Sequence, residues 1–144
     1  MKKIIYSPGE PSGIGPDLII KLSSSNLWED LKIPIVSIGD PKLFIDRAAV
    51  LKKKIQIVEL ESLNQVTKNI KGLIQIIKVT KCSNTRPGKL YKSNAQYVLN
   101  NLTYSIEQTM QNEETALVTG PLSKENIISI DKSFTGHTEY IKKI

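Results

Sequence analysis

A chain of 144 residues, 40% hydrophobic and 24% charged, has the composition of a globular protein and the length for one domain with a real core. No apolar run reaches the roughly 18 residues of a membrane span, and the N-terminus enters a strand without the basic, apolar and small-residue regions of a secretory signal. The net charge of +6 comes from scattered lysines; the single run Lys52-Lys53-Lys54 has no interleaved aromatic side chains for base stacking, so neither a membrane nor a nucleic-acid partner is expected.

In chain order, Lys3 to Ser7 reads as a strand. It is followed by the turn Ser7-Pro8-Gly9-Glu10-Pro11-Ser12-Gly13-Ile14-Gly15-Pro16 and a helix over Asp17 to Ser23. The glycines allow close backbone approach, the prolines stiffen the turn, and Pro16 suits a first helical position. The glycine spacing is neither a dinucleotide fingerprint nor a phosphate-binding P-loop. Ile33 to Ile38 reads as a second strand, ended by an Asp40 cap and a helix from Pro41 to Lys53 on the stripe Phe44, Ala48 and Leu51. Ile55 to Val58 and Leu73 to Val79 read as strands, with a mostly irregular stretch over Glu61 to Lys71. Thr80 to Leu90 reads as a connection with a tight turn.

Cys82 has no partner for a disulfide or a metal knuckle, which fits a structural thiol in a reducing cytoplasm. Ser93 to Gln111 is the clearest helix, with an apparent capping box at Ser93 and Gln96 and apolar residues at Ala95, Val98, Leu102, Ile106 and Met110. Thr115 to Thr119 reads as a short buried strand, turned by Gly120-Pro121 into a helix that Ser123 caps, running to about Ser129. Strands alternating with helices imply a single α/β region over residues 1–144, with a mainly parallel sheet and flanking helices. His137 is the only histidine. Spacing alone leaves it open between a capping residue and a contact to an anionic ligand. Glu10, Asp17, Asp40 and Arg86 read as solvated turn or cap residues.

Four stretches together are specific. Pro8 to Asp17, Pro87-Gly88-Lys89-Leu90 with Asn94-Ala95, Ala116 to Lys124, and Phe134-Thr135-Gly136-His137-Thr138-Glu139-Tyr140 resemble, in order, the 4-hydroxythreonine-4-phosphate dehydrogenases of pyridoxal phosphate synthesis. The resemblance implies an isocitrate/isopropylmalate dehydrogenase-like fold, of which this chain would be the incomplete N-terminal part of a longer two-domain enzyme. It implies NAD-dependent oxidation of 4-phosphooxy-L-threonine to a 3-oxo acid that decarboxylates, by a cytoplasmic homodimer. It also implies a cofactor, NAD or NADP, and a divalent metal (zinc, magnesium or cobalt) held by three histidines beyond the Gly-His-Thr motif. His137 and Thr138 carry over as substrate-binding residues. Catalytic and cofactor-binding residues have no assignment in this segment, and none of its residues is assigned to the metal.

Glu139 to Ile144 presents Tyr140, Ile141 and Ile144 without a capping glycine, so the sequence reads as cut there. By itself the chain is expected to be inactive and marginally folded. The alternatives are a truncated, non-catalytic α/β protein that binds an anionic ligand or partner, and a dehydrogenase for another phosphorylated hydroxy acid.

Overall fold

The computed structural model describes residues 1–144. Five strands, β1 (Lys3–Ser7), β2 (Ile35–Ile38), β3 (Gln56–Leu60), β4 (Leu73–Ile77) and β5 (Thr115–Thr119), form one sheet in the order β3-β4-β2-β1-β5. Every pairing is parallel, so each strand must be followed by a crossover, and the helices fall on the two faces. These are α1 (Gly15–Ser23), α2 (Leu27–Asp30), α3 (Pro41–Val50), α4 (Ala95–Gln111), α5 (Lys124–Ile128) and α6 (His137–Lys143). The expected α/β class with a parallel sheet and flanking helices is the class observed.

Alternation along the strands divides the core. Ile4, Tyr6, Ile35, Ile74 and Ile76 pack with Ile19 and Ile20 of α1, Trp28 of α2 and Phe44 of α3. On the opposite face Ile5, Val36, Ile38 and Ile77 pack with Leu63 and Val66 of the segment joining β3 to β4, and Tyr104 of α4 lies with Leu117. Chain order runs outward from β1 to β2 and β3, returns through β4, and places β5 on the far side of β1. The carboxyl end of β1 is therefore the topological switch point, where open α/β sheets bind ligands.

Several boundaries differ from the sequence reading. The first helix starts two residues early, at Gly15, which puts Pro16 at its second position. Pro34 has no N–H for a ladder and delays β2 to Ile35. The third helix stops at Val50 because Lys52 takes φ 55, a left-handed cap, and Lys53 N donates to Ala48 O. The capping box at Ser93 does not form: Lys92–Asn94 is a turn of 3₁₀ helix, α4 begins without a side-chain cap, and Gln96 donates instead to Asn100. The short helix α2 has no counterpart in the sequence reading; it buries Trp28, whose Nε1 donates to Leu73 O at 3.2 Å. β5 pairs only with β1, so it is an edge strand, with Ala116 and Val118 exposed, rather than a buried one.

Candidate functional site

At the switch point the loops after β1 and β5 are zipped together. Gly120 N donates to Ser7 O at 2.7 Å, and Glu10 N donates to Pro121 O at 2.9 Å. Gly9 takes φ +82, and a Cβ there would fall 2.2 Å from Pro121 O; a Cβ on Gly15 or on Gly120 would meet Pro8 O at 1.8 or 2.2 Å. No side chain fits at these positions, so the backbone of the chain itself closes the crevice.

The Pro/Gly turn is then held from beneath by a residue that the sequence reading missed. Arg47, on the buried face of α3 and 3% exposed, donates to Pro11 O at 2.6 Å, to Gly13 O at 2.8 Å and to the Asp17 carboxylate at 2.6 Å. Its planar fork serves three acceptors through two nitrogens held apart, a spread that the single ammonium nitrogen of a lysine lacks. The signal was present in its position. Residue 47 falls on the same stripe as Phe44, Ala48 and Leu51, where an arginine needs partners to be buried.

The four polar candidates separate. Asp17 is Arg47's ion-pair partner, and Arg86 is exposed in a hairpin turn whose Gly88 N donates to Ser12 O at 2.8 Å. Glu10 and Asp40 are buried rather than solvated. Glu10 accepts from Ser12 N at 3.2 Å and from Asn126 of α5 at 3.4 Å, and Asn126 also donates to Tyr91 O. One carboxylate thus joins the turn after β1 to α5. Asp40 caps α3 through Lys42 N, takes Cys82 N at 2.8 Å and lies 3.5 Å from Lys78 Nζ. A dinucleotide fold puts its ribose acceptor at the end of the second strand; here both oxygens of Asp40 are already committed. Beside it a cavity of about 270 Å³ is lined by Asp40, Asp46, Lys81, Cys82 and Asn84. Burial, reinforced by the negative charges of Asp40 and Glu10, pushes the Cys82 thiol up to about 12, which suits a structural thiol.

His137 and Thr138 open α6, and two aromatic anchors fix that entry. Phe134, 2% exposed, inserts into the core with Val98, Leu102 and Ile127, and its ring lies 5.5 Å from that of Tyr140. The Tyr140 hydroxyl shares a 2.7 Å hydrogen bond with Thr103 of α4. Between the anchors Gly136 takes φ +151, a conformation almost confined to glycine, which presents the next two residues. His137 is half-buried and Thr138 exposed. Burial, and then the charge of Lys124, hold the imidazole's pKa below its ordinary value. The structure does not bring Asp17, Asp40 or Arg86 to this pair. It brings Lys124, and through Asn126 it ties α5 to Glu10.

No three His, Cys, Asp or Glu side chains gather where they could hold a metal ion. The residues present do not fit a metal centre, and what they can do chemically is bind and orient an anion.

Comparison with known proteins supplies the family. The family described as pyridoxal phosphate biosynthetic protein PdxA matches residues 30–144. The chain belongs to the PdxA family. The 4-hydroxythreonine-4-phosphate dehydrogenase of Yersinia enterocolitica is 33% identical over 138 residues, which is 96% of this chain and 40% of that protein. The enzyme of the same name from Shewanella frigidimarina is 35% identical over 139 residues, 96% of this chain and 41% of that one. The chain thus spans about two fifths of the length of these PdxA relatives. Two solved structures share its fold. A putative 4-hydroxythreonine-4-phosphate dehydrogenase from Salmonella typhimurium superposes with TM-score 0.84 at 22% identity, over 99% of this chain and 44% of that one. A 4-hydroxythreonine-4-phosphate dehydrogenase from Burkholderia phymatum superposes with TM-score 0.87 at 19% identity, over 99% and 43%. No helix of this PdxA segment is long and apolar enough to cross a membrane.

Proposed function

We propose that this PdxA chain is the substrate-binding α/β region, and the N-terminal part, of a two-domain, homodimeric, cytoplasmic dehydrogenase that oxidises 4-phosphooxy-L-threonine with NAD or NADP. The observation that carries the reading is the Gly-His-Thr entry to α6, anchored by Phe134 and Tyr140, which presents an imidazole and a hydroxyl with no partner of their own. His137 and Thr138 donate hydrogen bonds to the anionic substrate and fix its orientation. The zipped turn of Pro8 to Gly15, clamped by Arg47, forms a rigid wall beneath α5, so little conformational freedom remains to be lost on binding. A divalent metal, if the whole enzyme binds one, would be held by residues outside this segment and would supply Lewis-acid chemistry there. On this reading these 144 residues bind and orient the substrate, and oxidation requires a cofactor site completed by the rest of the enzyme.

The test is His137→Ala in the family-length protein. Loss of a charge-assisted hydrogen bond weakens substrate binding by about 1.5 to 3 kcal/mol. The KM for phosphorylated substrate rises accordingly, while the KM for NAD and the metal content stay as they were. An unchanged substrate KM, or a loss of metal, contradicts the assignment.

A further inference from the structure

Lys124 is the first residue of α5, and His137 the first of α6. Neither is a place where helix stability asks for a cation, since the positive end of a helix favours acidic side chains. They nevertheless face one another. The Lys124 Nζ lies 3.6 Å from the point that a Cβ on Gly136 would occupy, and its Cε 3.4 Å, so the ammonium rests against the backbone that delivers His137. The chain's four ion pairs join the N-terminus to Glu114, Lys42 to Asp46, Arg47 to Asp17 and Lys78 to Asp40, and none includes either residue.

Two carboxylates close in sequence to the pair, Glu125 and Glu139, form no ion pair with either residue. Glu139 of α6 turns toward Gly136, with an oxygen 3.7 Å from the same Cβ position, and Glu125 beside Lys124 is exposed. Thr103 of α4 and Tyr140 of α6 are bonded to each other. Lys124 Nζ therefore lies beside the backbone that delivers His137 and Thr138, and none of the three side chains has a hydrogen-bond or ion-pair partner in the chain.

We infer that Lys124 is a further substrate-binding residue, which completes with His137 and Thr138 a three-donor cradle for the phosphoryl group of the substrate. The inference rests on the reading of His137 and Thr138 as substrate contacts and extends it to a residue of another element. A phosphate monoester offers three strong acceptor oxygens and close to two negative charges near neutral pH, which matches three donors of which one is a permanent cation. Burial, and then the charge of Lys124, hold the His137 imidazole below its ordinary pKa, and an anion between the two side chains would offset the second of these. The Glu10–Asn126 contact gives α5, and so Lys124, a fixed distance from the turn after β1.

One imidazole in the chain makes the test direct. The His137 ring resonances are followed by NMR while inorganic phosphate is added at constant ionic strength, at a concentration where light scattering gives a 16.1 kDa particle and the amide spectrum is that of a folded chain, in the unaltered chain and in Lys124→Gln, Lys124→Arg and the exposed control Lys142→Gln. A saturable shift is expected in the unaltered chain, in Lys124→Arg and in the control, with at least fivefold weaker binding in Lys124→Gln. Equal binding in Lys124→Gln and the unaltered chain overturns the role of Lys124 and leaves that of His137 standing. Acetate binding as strongly as phosphate overturns the phosphoryl assignment. No saturable shift in any form overturns this inference together with the reading beneath it.

Discussion

At the scale of single residues, Arg47 is the side chain on which the site's rigidity depends most. It sits at 3% exposure and satisfies two carbonyls of the Pro/Gly turn and the Asp17 carboxylate. Truncation leaves these partly buried acceptors, one of them charged, without their donor. Arg47→Ala should cost about 3 kcal/mol in a denaturant titration, and Arg47→Lys should recover only part of that because an ammonium cannot span all three acceptors. Full recovery by lysine would mean that charge alone, and not the fork, holds the turn. The residue scale is also where sequence reading reached its limit. The tetrad Gly136-His137-Thr138-Glu139 was legible as a motif only through the family resemblance, since its spacing alone leaves His137 open between a cap and a ligand contact. Lys124 and Asn126 were not, since only the fold brings α5 beside Gly136 and Glu10, 116 residues away from Asn126 in sequence.

At the scale of elements, every strand and the longer helices were legible, because hydrophobic period and turn residues report on local structure. What failed was context. The capping box of Ser93 was a correct pattern whose backbone took a 3₁₀ turn instead, and β5 read as buried from its apolar content although it lies at an edge. Elements also decide how firmly the Gly-His-Thr entry is held. Phe134 fills the space between α4 and α5, so Phe134→Ala removes an anchor and leaves a cavity, at about 3 to 5 kcal/mol. The milder Phe134→Leu should keep the fold while residues 135–143 exchange their amide hydrogens faster than those of α4. Uniform loss of protection across both helices would show that α6 has no stability of its own to lose.

At the scale of the whole molecule, the sheet is finished on one side and open on the other. β3 ends the sheet with Gln56, Glu59 and nearby lysines, which blunt an edge. β5, Thr-Ala-Leu-Val-Thr, carries no charge, and Val118 and Leu18 stand 47% and 50% exposed over an apolar groove of about 180 Å³ beside Ile4, Tyr6 and Leu22. A parallel strand is normally covered on both faces and paired on both sides. The 144-residue chain should therefore self-associate with rising concentration, and Val118→Lys should shift it toward a particle of 16.1 kDa in light scattering. A monomer at every concentration would show that the edge is protected by means other than those described.

The same scale carries the central claim, that the carboxyl edge of this sheet holds a phosphorylated substrate for a PdxA dehydrogenase. The most direct measurement is the rate of NAD reduction by the family-length protein, with 4-phosphooxy-L-threonine and with its unphosphorylated counterpart under identical conditions. With three donors directed at the phosphoryl group, kcat/KM for the phosphorylated substrate should be higher by a factor of at least 100, the equivalent of about 2.7 kcal/mol of transition-state binding. Equal kcat/KM for the two substrates would contradict the account.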